Sequence, residues 1–402
     1  MKIIDLFSGA GGLTFGFYYK KEGNKFVRRE NIEFVFSNEY NESAAAAHRL
    51  NYENANMIQA SISDITSERI KELIGNEEVD VIIGGPPCQS FSTIGQRRYD
   101  ERAKLSEEYL RVLEVVRPKM FLFENVKGIL SMKEIFYKQD EEGNTIYKVE
   151  TVSKGGREYV RREPIVEDVG ELVIEKLKKE FKRMGYTIEP RTLNAYDYGV
   201  PQNRERVVII GVRDDLGISL AFPEKQKNTL TIEDAISDLP VVLEGEEQTK
   251  YLRQPDNEYQ ILMRGDTERI TQHFCGVYGD KIRTVIKNVA EGEGKNDFNK
   301  KVDDGVVDKK YYLTSGFGNT YGRLRRNKPS PTITNNLSTP SSSRCIHYEQ
   351  DRALTPREGA RIQSFPDWFE FVGDKAQVVK QIGNAVPPLL AIALADQIMK
   401  IL

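Results

Sequence analysis

The chain has 402 residues, 39% of them apolar and 30% charged, with 31 glycines and 16 prolines. That length provides a core large enough to need no disulfide or metal staple, and the composition excludes a collagenous, low-complexity or mainly disordered protein. The formal net charge of −3 argues on its face against a nucleic-acid partner, yet from Gly322 to Arg352 there are six Arg or Lys against two acids, a local basic stretch that the total conceals.

Asp5 interrupts the first apolar run before it reaches signal-peptide length, and the run Ala385 to Ala395 stops at Asp396, too short to cross a bilayer. A cytoplasmic protein without a membrane partner is expected. Three widely spaced cysteines (Cys88, Cys275, Cys345) and three histidines offer neither a disulfide framework nor a zinc-ligand spacing, so no metal is expected.

Up to about residue 214, short apolar runs are separated by helix-length amphipathic segments. Ile3 to Phe7, Phe34 to Ser37, Met57 to Ala60, Val79 to Ile83, Met120 to Phe123 and Val207 to Val212 read as buried strands. Between the fourth and fifth, Arg102 to Val116 places Leu105, Tyr109, Val112, Leu113 and Val116 on one helix face, and Pro118 ends it. The alternation predicts an α/β fold with a doubly wound, mostly parallel sheet. A polar segment at about 137–168 breaks the rhythm and reads as an inserted hairpin or loop. After about Asp214 the alternation stops, and residues 215–364 read as a second, smaller and irregular domain. Helical pattern returns at Thr355 to Gln363 and after Pro387-Pro388, where proline suits a first helical turn.

The first strand runs into Phe7-Ser-Gly-Ala-Gly-Gly-Leu-Thr-Phe-Gly16, a glycine-rich turn before a helix, which lets backbone amides approach a ligand. As a dinucleotide fingerprint it fails, because Thr14 stands where the third glycine belongs. The second strand ends at Asn38-Glu39-Tyr40, an acid placed where such folds bind a ribose hydroxyl, and Asp64-Ile65 follows the third. The fourth ends in Gly84-Gly-Pro-Pro-Cys-Gln-Ser-Phe-Ser92, where two prolines stiffen the approach to Cys88, positioned like a nucleophile. The fifth ends at Glu124-Asn-Val126. Since strand ends of a parallel sheet share one edge, the glycine turn, Glu39, Asp64, Cys88 and Glu124 are expected to line a single crevice. His48, His273 and His347 lie far off in sequence, which weakens a Cys-His protease or acyl-transfer reading.

With these blocks in place, and with Gln202-Asn-Arg-Glu-Arg206, Leu354-Thr-Pro-Arg-Glu358, Gln363-Ser-Phe-Pro366 and Gln381-Ile-Gly-Asn-Ala-Val-Pro387 following in order, the sequence resembles the DNA cytosine 5-methyltransferase family. The match runs over nearly the whole chain. The absence of an extension before the first block makes it most similar to the bacterial restriction-modification or solitary members. The resemblance implies transfer of a methyl group from S-adenosylmethionine, leaving S-adenosylhomocysteine, to carbon 5 of a flipped cytosine in a specific sequence of double-stranded DNA. It implies a catalytic domain over 1–214, a target-recognition domain over 215–364, and a C-terminal segment, 365–402, that returns to complete the catalytic domain.

By the same resemblance, Cys88 would attack carbon 6, Glu124 would serve ring nitrogen 3, Arg206 would hold the carbonyl at carbon 2, and Arg204 would support the loop or contact the base. Phe7, Gly9, Gly11, Glu39, Tyr40, Asp64, Ile65, Pro87, Asn384 and Val386 would surround the methyl donor. Tyr40 stands where some members have tryptophan and keeps an aromatic face. Gln89, Ser90, Ser92, Gln202, Arg323, Arg325, Arg326 and Thr332 would contact DNA, the arginines through phosphates. A monomer is expected, with a cognate restriction endonuclease acting separately as the partner. The competing readings are a tRNA cytosine-5 methyltransferase of the same fold, a catalytically silent DNA-binding relative and, more remotely, a nicotinamide oxidoreductase. The Cys-Phe-Thr element of the tRNA branch has no counterpart in Phe274-Cys-Gly-Val277.

Overall fold

The computed structural model describes residues 1–87, 104–142, 144–154 and 157–402. Seven strands form the central sheet: β1 (Lys2–Leu6), β2 (Glu33–Glu39), β3 (Met57–Gln59), β4 (Val81–Gly84), β5 (Met120–Val126), β6 (Tyr186–Asn194) and β7 (Glu205–Arg213). Their order is β6-β7-β5-β4-β1-β2-β3. Strands β1 to β5 pair in parallel, and β7 is antiparallel to both β5 and β6. This is the expected mostly parallel α/β sheet, with one edge strand, β6, that the pattern did not announce. Polar residues alternate along it and Pro190 interrupts it, which an edge strand tolerates because one of its sides needs no ladder bond.

Strict alternation divides the sheet between two cores. Ile3, Ile83, Leu122, Val208 and Ile210 face one layer, and Ile4, Ile82, Phe121, Phe123 and Ile209 face the other. The second layer is covered by α3 (Ser67–Ile74), α4 (Lys104–Val116) and α5 (Val173–Arg183). The helix expected from Arg102 therefore runs from Lys104 within the described residues. In α5, Val173, Ile174, Leu177 and Phe181 are buried at helical spacing, with Glu175 in the first turn and Lys182 and Arg183 in the last, each sign matching the helix dipole.

The first layer holds α1 (Gly12–Tyr18) and α2 (Glu42–Asn51) together with the C-terminal α10 (Pro356–Ile362), α11 (Lys375–Asn384) and α12 (Pro388–Ile401). Pro356 and Pro388 sit in first helical turns, and Thr355 forms a capping box with Glu358. Between them come α6 (Ile232–Ile236), α7 (Glu258–Arg264), α8 (Asp280–Asn288) and α9 (Lys295–Asp303).

Residues 215–364 do not keep a core of their own throughout. Ile232, Leu262, Ile270, Leu324 and Ile333 pack into the same cluster as Phe15 and Leu390, whereas a separate cluster of Val285, Ile286, Val289, Phe298, Val302 and Ile346 forms only around α8 and α9. The segment 133–172 makes two antiparallel ladders, Lys133–Tyr137 with Val166–Leu172 and Tyr147–Lys154 with Arg157–Pro164. Among the described residues no single helix is long and apolar enough to cross a membrane.

Helix α1 meets α12 at Gly16, where an added Cβ would overlap the Ala391 carbonyl and the Ile392 nitrogen. Only glycine lets the two backbones approach this closely. Gly16→Ala is expected to lower stability by about 1–3 kcal/mol through overpacking, whereas Gly279→Ala, whose added methyl meets nothing within 4 Å, should stay within about 0.5 kcal/mol. Denaturant unfolding of both variants measures the difference.

Candidate active site

The register of the sheet sets the site. Leu6 pairs with Asn38 on one side and Gly84 on the other, and Gly84 pairs with Phe123. The next residues along those four strands are Phe7, Glu39, Gly85 and Glu124, so all four stand on one line at the carboxyl edge of the parallel strands. With neighbouring strands about 4.8 Å apart, Glu39 and Glu124 stand roughly 14 Å from one another across that edge.

At one end the glycine turn is locked in left-handed backbone conformations, with φ of 57° at Phe7, 57° at Gly9 and 97° at Gly11. Glu39 holds this turn to β2: its Oε2 accepts from the Gly9 amide at 2.9 Å and its Oε1 from the Asn41 amide at 2.7 Å. Burial pushes the Glu39 carboxyl above its usual range, against those two hydrogen bonds and the nearby Lys380. Tyr40 is 76% exposed, leaving its ring open to a ligand. Asp64 is exposed at the end of the short helix Ile62–Asp64. Ile65, expected at the ligand, is buried in the second core layer, so its side chain supports the turn from below. Asn384 is exposed at the end of α11, and Val386 is buried against Gly12, where a Cβ would overlap the Val386 carbonyl oxygen. The far end of the chain thus covers the glycine turn.

At the other end, Glu124 Oε1 pairs with Arg206 Nε at 3.1 Å, both side chains 12% exposed. Burial raises the Glu124 carboxyl, opposed first by Arg206 and then by Arg204. A carboxyl so placed keeps its proton more readily than an ordinary glutamate. Gly85 passes directly beside it, since a Cβ there would lie 2.9 Å from Glu124 Oε2. Asn125, given no role from sequence, donates from Nδ2 to the Pro86 carbonyl at 3.3 Å and ties the proline turn to β5; its place inside the Glu124-Asn-Val126 block was the available signal. Pro87 is exposed. Cys88, Gln89, Ser90 and Ser92 lie outside the described residues.

Arg204, expected to support the loop or contact the base, is bonded to backbone. It is 1% exposed, and its guanidinium donates to the carbonyls of Ile333 (2.8 Å), Gly383 (2.9 Å) and Ala385 (2.9 Å). Two expectations of DNA contact need correction. Gln202, expected at DNA, is fully buried: its Nε2 donates to Gln363 Oε1 at 2.8 Å and its Oε1 accepts from the Ile333 amide at 2.7 Å. Arg323, expected on a phosphate, is 6% exposed and donates to the carbonyls of Ile286, Val289, His347 and Gln350 and to Asp351. Those bonds hold the cluster around α8 together and leave Arg323 turned inward. Arg325 is exposed. Half-buried Arg326 lies 3.6 Å from Glu233 and 3.5 Å from Glu291. Thr332 is held by its hydroxyl donating to the Asn203 carbonyl at 2.9 Å, beside a bridge between Gln202 and Ser330.

Comparison with known proteins agrees with this architecture. The profile of the C-5 cytosine-specific DNA methylase family matches residues 1–151 and 165–400, leaving out 152–164 in the hairpin segment and the last two residues. The chain is 32% identical to the Type II methyltransferase M.AgeI of Thalassovita gelatinovora, covering 99% of both chains. It is 33% identical to the Type II methyltransferase M.DdeI of Desulfomicrobium norvegicum, over 99% of this chain and 88% of that one. Among solved structures, a prophage-encoded Escherichia coli chain described as a candidate DNA modification methyltransferase superposes with a TM-score of 0.69 at 24% identity, over 100% of this chain and 99% of that one. The Dnmt2 methyltransferase of S. pombe gives 0.55 at 14% identity, over 100% and 98%, a likeness of fold alone. A family profile spanning nearly every residue, together with full-length relatives above 30% identity, shows that the chain belongs to the C-5 cytosine-specific DNA methylase family, as a DNA cytosine-5 methyltransferase of the bacterial restriction-modification type that acts on duplex DNA with S-adenosylmethionine as donor.

Proposed function

We propose that the crevice at the sheet edge methylates a cytosine flipped out of the duplex, through a covalent adduct of Cys88. The observation that carries this reading is the single line of Phe7, Glu39, Gly85 and Glu124, with Arg206 paired to Glu124 at the base end. Carbon 6 of cytosine is out of reach inside stacked base pairs, so the base must leave the helix.

The residues present fit the donor. A Cβ on Gly9 would meet nothing within 4 Å, so the turn opens onto free space beside a half-buried carboxyl, Glu39, and an exposed aromatic ring, Tyr40. Glu39 would hold the ribose hydroxyls, Tyr40 the adenine face and Asp64 its amino group, with Phe7, Gly9, Gly11, Pro87, Asn384 and Val386 around them. When bound, S-adenosylmethionine supplies an electrophilic methyl group on a sulfonium.

Carbon 5 is too weak a nucleophile alone. The Cys88 thiolate adds to carbon 6, and electron density moves to carbon 5 and ring nitrogen 3. Glu124, whose carboxyl burial raises against the pull of Arg206, hydrogen-bonds to or protonates nitrogen 3 as charge builds there, while Arg206 holds the carbonyl at carbon 2. Once carbon 5 carries the methyl group, loss of its proton to a base re-forms the double bond and expels Cys88 as thiolate, and nitrogen 3 returns to Glu124 any proton it took. Arg204 acts from behind by holding Gly383, Ala385 and Ile333 in place. Gln89, Ser90 and Ser92 would meet DNA beside the flipped base, Arg325 and Arg326 would meet phosphates, and Thr332 would stand near the backbone. Residues 215–364 would serve target recognition, reading the sequence through the loops around α8 and α9. The protein would work as a monomer, away from membranes and alongside a separate restriction endonuclease.

A duplex with 5-fluorocytosine at the target tests the covalent step, because fluorine cannot leave as a cation. A denaturation-resistant protein–DNA adduct should form with S-adenosylmethionine, vanish in Cys88→Ala and persist in Cys275→Ala and Cys345→Ala; an adduct that survives loss of Cys88 refutes the assignment. Glu124→Gln should lower single-turnover methyl transfer by about a hundredfold or more while duplex binding persists. Arg204→Ala leaves three carbonyls without their donor, at about 1–3 kcal/mol each, and should weaken donor and DNA affinity together in titration calorimetry. Arg325→Ala should weaken DNA binding and its salt dependence alone.

A further inference from the structure

Thr14 is the residue that breaks the dinucleotide fingerprint, and the reaction described above gives it no task. It is fully buried on α1. Its Oγ1 lies 2.5 Å from Asp5 Oδ2 on β1 and 3.1 Å from His48 Nε2 on α2, so one hydroxyl joins the strand before the glycine turn, the helix after it and the next helix of the fold. A third glycine could make neither contact.

Helix α2 reaches the same turn a second time. Tyr52, which caps it, donates from Oη to the Gly11 carbonyl at 2.5 Å, and its ring lies beneath Gly11 so closely that a Cβ there would overlap it. The rings of His48 and Tyr52 are 4.8 Å apart. The other end of α2 begins at Asn41, whose amide donates to Glu39, the same carboxylate that accepts from Gly9. One helix therefore grips the glycine turn through Glu39 at its start and through His48 and Tyr52 at its end.

We propose that Thr14, His48 and Tyr52, with Asp5, form a positioning floor that sets the height and angle of Gly9 to Gly11 for the methyl donor. The inference rests on the donor reading of that turn. None of the four touches the reacting atoms; they act through the turn's backbone. Two further observations fit this role. Asp5 Oδ1 and His48 Nδ1 are buried without a hydrogen-bond partner among the described residues, a cost retained only where the remaining bonds are needed. Burial also pushes the Asp5 carboxyl up to about 7 and the His48 imidazole down to about 3. The imidazole is then neutral near pH 7 and can only share a proton with Thr14. The charged groups that act on this cluster are Glu39 at the end of β2, which raises Asp5, and Arg49 on α2, which lowers His48.

The test uses the full chain and S-adenosylmethionine itself. Tyr52→Phe removes one hydroxyl and keeps the ring, Thr14→Val removes the hub, and Thr14→Ser restores it. Titration calorimetry should show donor Kd rising about fivefold in Tyr52→Phe and more in Thr14→Val, with Thr14→Ser close to wild type, as expected for loss of one or two hydrogen bonds. Duplex Kd should stay within about twofold, and steady-state kinetics should show KM for the donor rising while kcat changes little. Unchanged donor affinity in both Tyr52→Phe and Thr14→Val overturns the inference while leaving the donor reading intact. Equal loss of donor affinity, DNA affinity and thermal midpoint also overturns it, since that marks a structural role only. A wild-type chain that fails to bind the donor refutes the donor reading itself.

Discussion

A buried guanidinium holds this molecule's site together. Arg204 donates to carbonyls 129, 179 and 181 residues further along the chain. A charge taken out of water is costly unless its donors are satisfied, and here the acceptors are backbone carbonyls from two segments that the buried Gln202 and Gln363 pair also helps to join. The start of β7 is thereby fastened to Ile333, next to the exposed basic loop, and to the end of α11, next to the glycine turn. Gly383 completes the arrangement: a Cβ there would overlap the backbone of Thr334 and Asn335. One side chain ties together the start of β7, the segment around Ile333 and the end of α11.

The register of the sheet does the remaining work. A parallel sheet brings the carboxyl ends of its strands to one edge, but alignment to the residue requires that no strand slip. The row Asn38, Leu6, Gly84 and Phe123 meets that condition, and the bulge between Ile3 and Ile4 absorbs an irregularity before the row begins. The order in which the crevice offers its groups follows: the Glu39 carboxyl and the Tyr40 ring, then the proline turn, then the Glu124 and Arg206 pair.

Much of this was legible in the sequence, and the failures have a common cause. Six of the seven strands announced themselves as apolar runs, and the shared edge followed from parallel pairing alone. Strand β6 escaped because an edge strand with Glu189, Pro190 and Arg191 carries no apolar run. Arg323 was misplaced, and the role of Arg204 was left open between two alternatives, because, in a string of letters, a buried arginine bonded to carbonyls is indistinguishable from a solvated one; what separates them is which distant backbone folds against them. Gln202 was misread for the same reason. Tyr52 and His48 carried no local signal, since their partners, Gly11 and Thr14, come from an earlier element.

The cover that Val386 places over Gly12 has a consequence for how the protein comes into being. The two residues belong to opposite ends of the polypeptide, and their contact is among the most non-local in the fold, the kind that forms late because loop closure precedes any gain from it. At ribosomal speeds of about 5–20 residues per second, roughly 20–75 s separate the synthesis of the turn from that of its cover. Throughout that interval the nascent chain carries β1, β2 and the glycine turn without α12, the helix that packs on α1. The glycine turn is therefore covered only after Val386 has been made, and a chain cut short of that residue leaves it open.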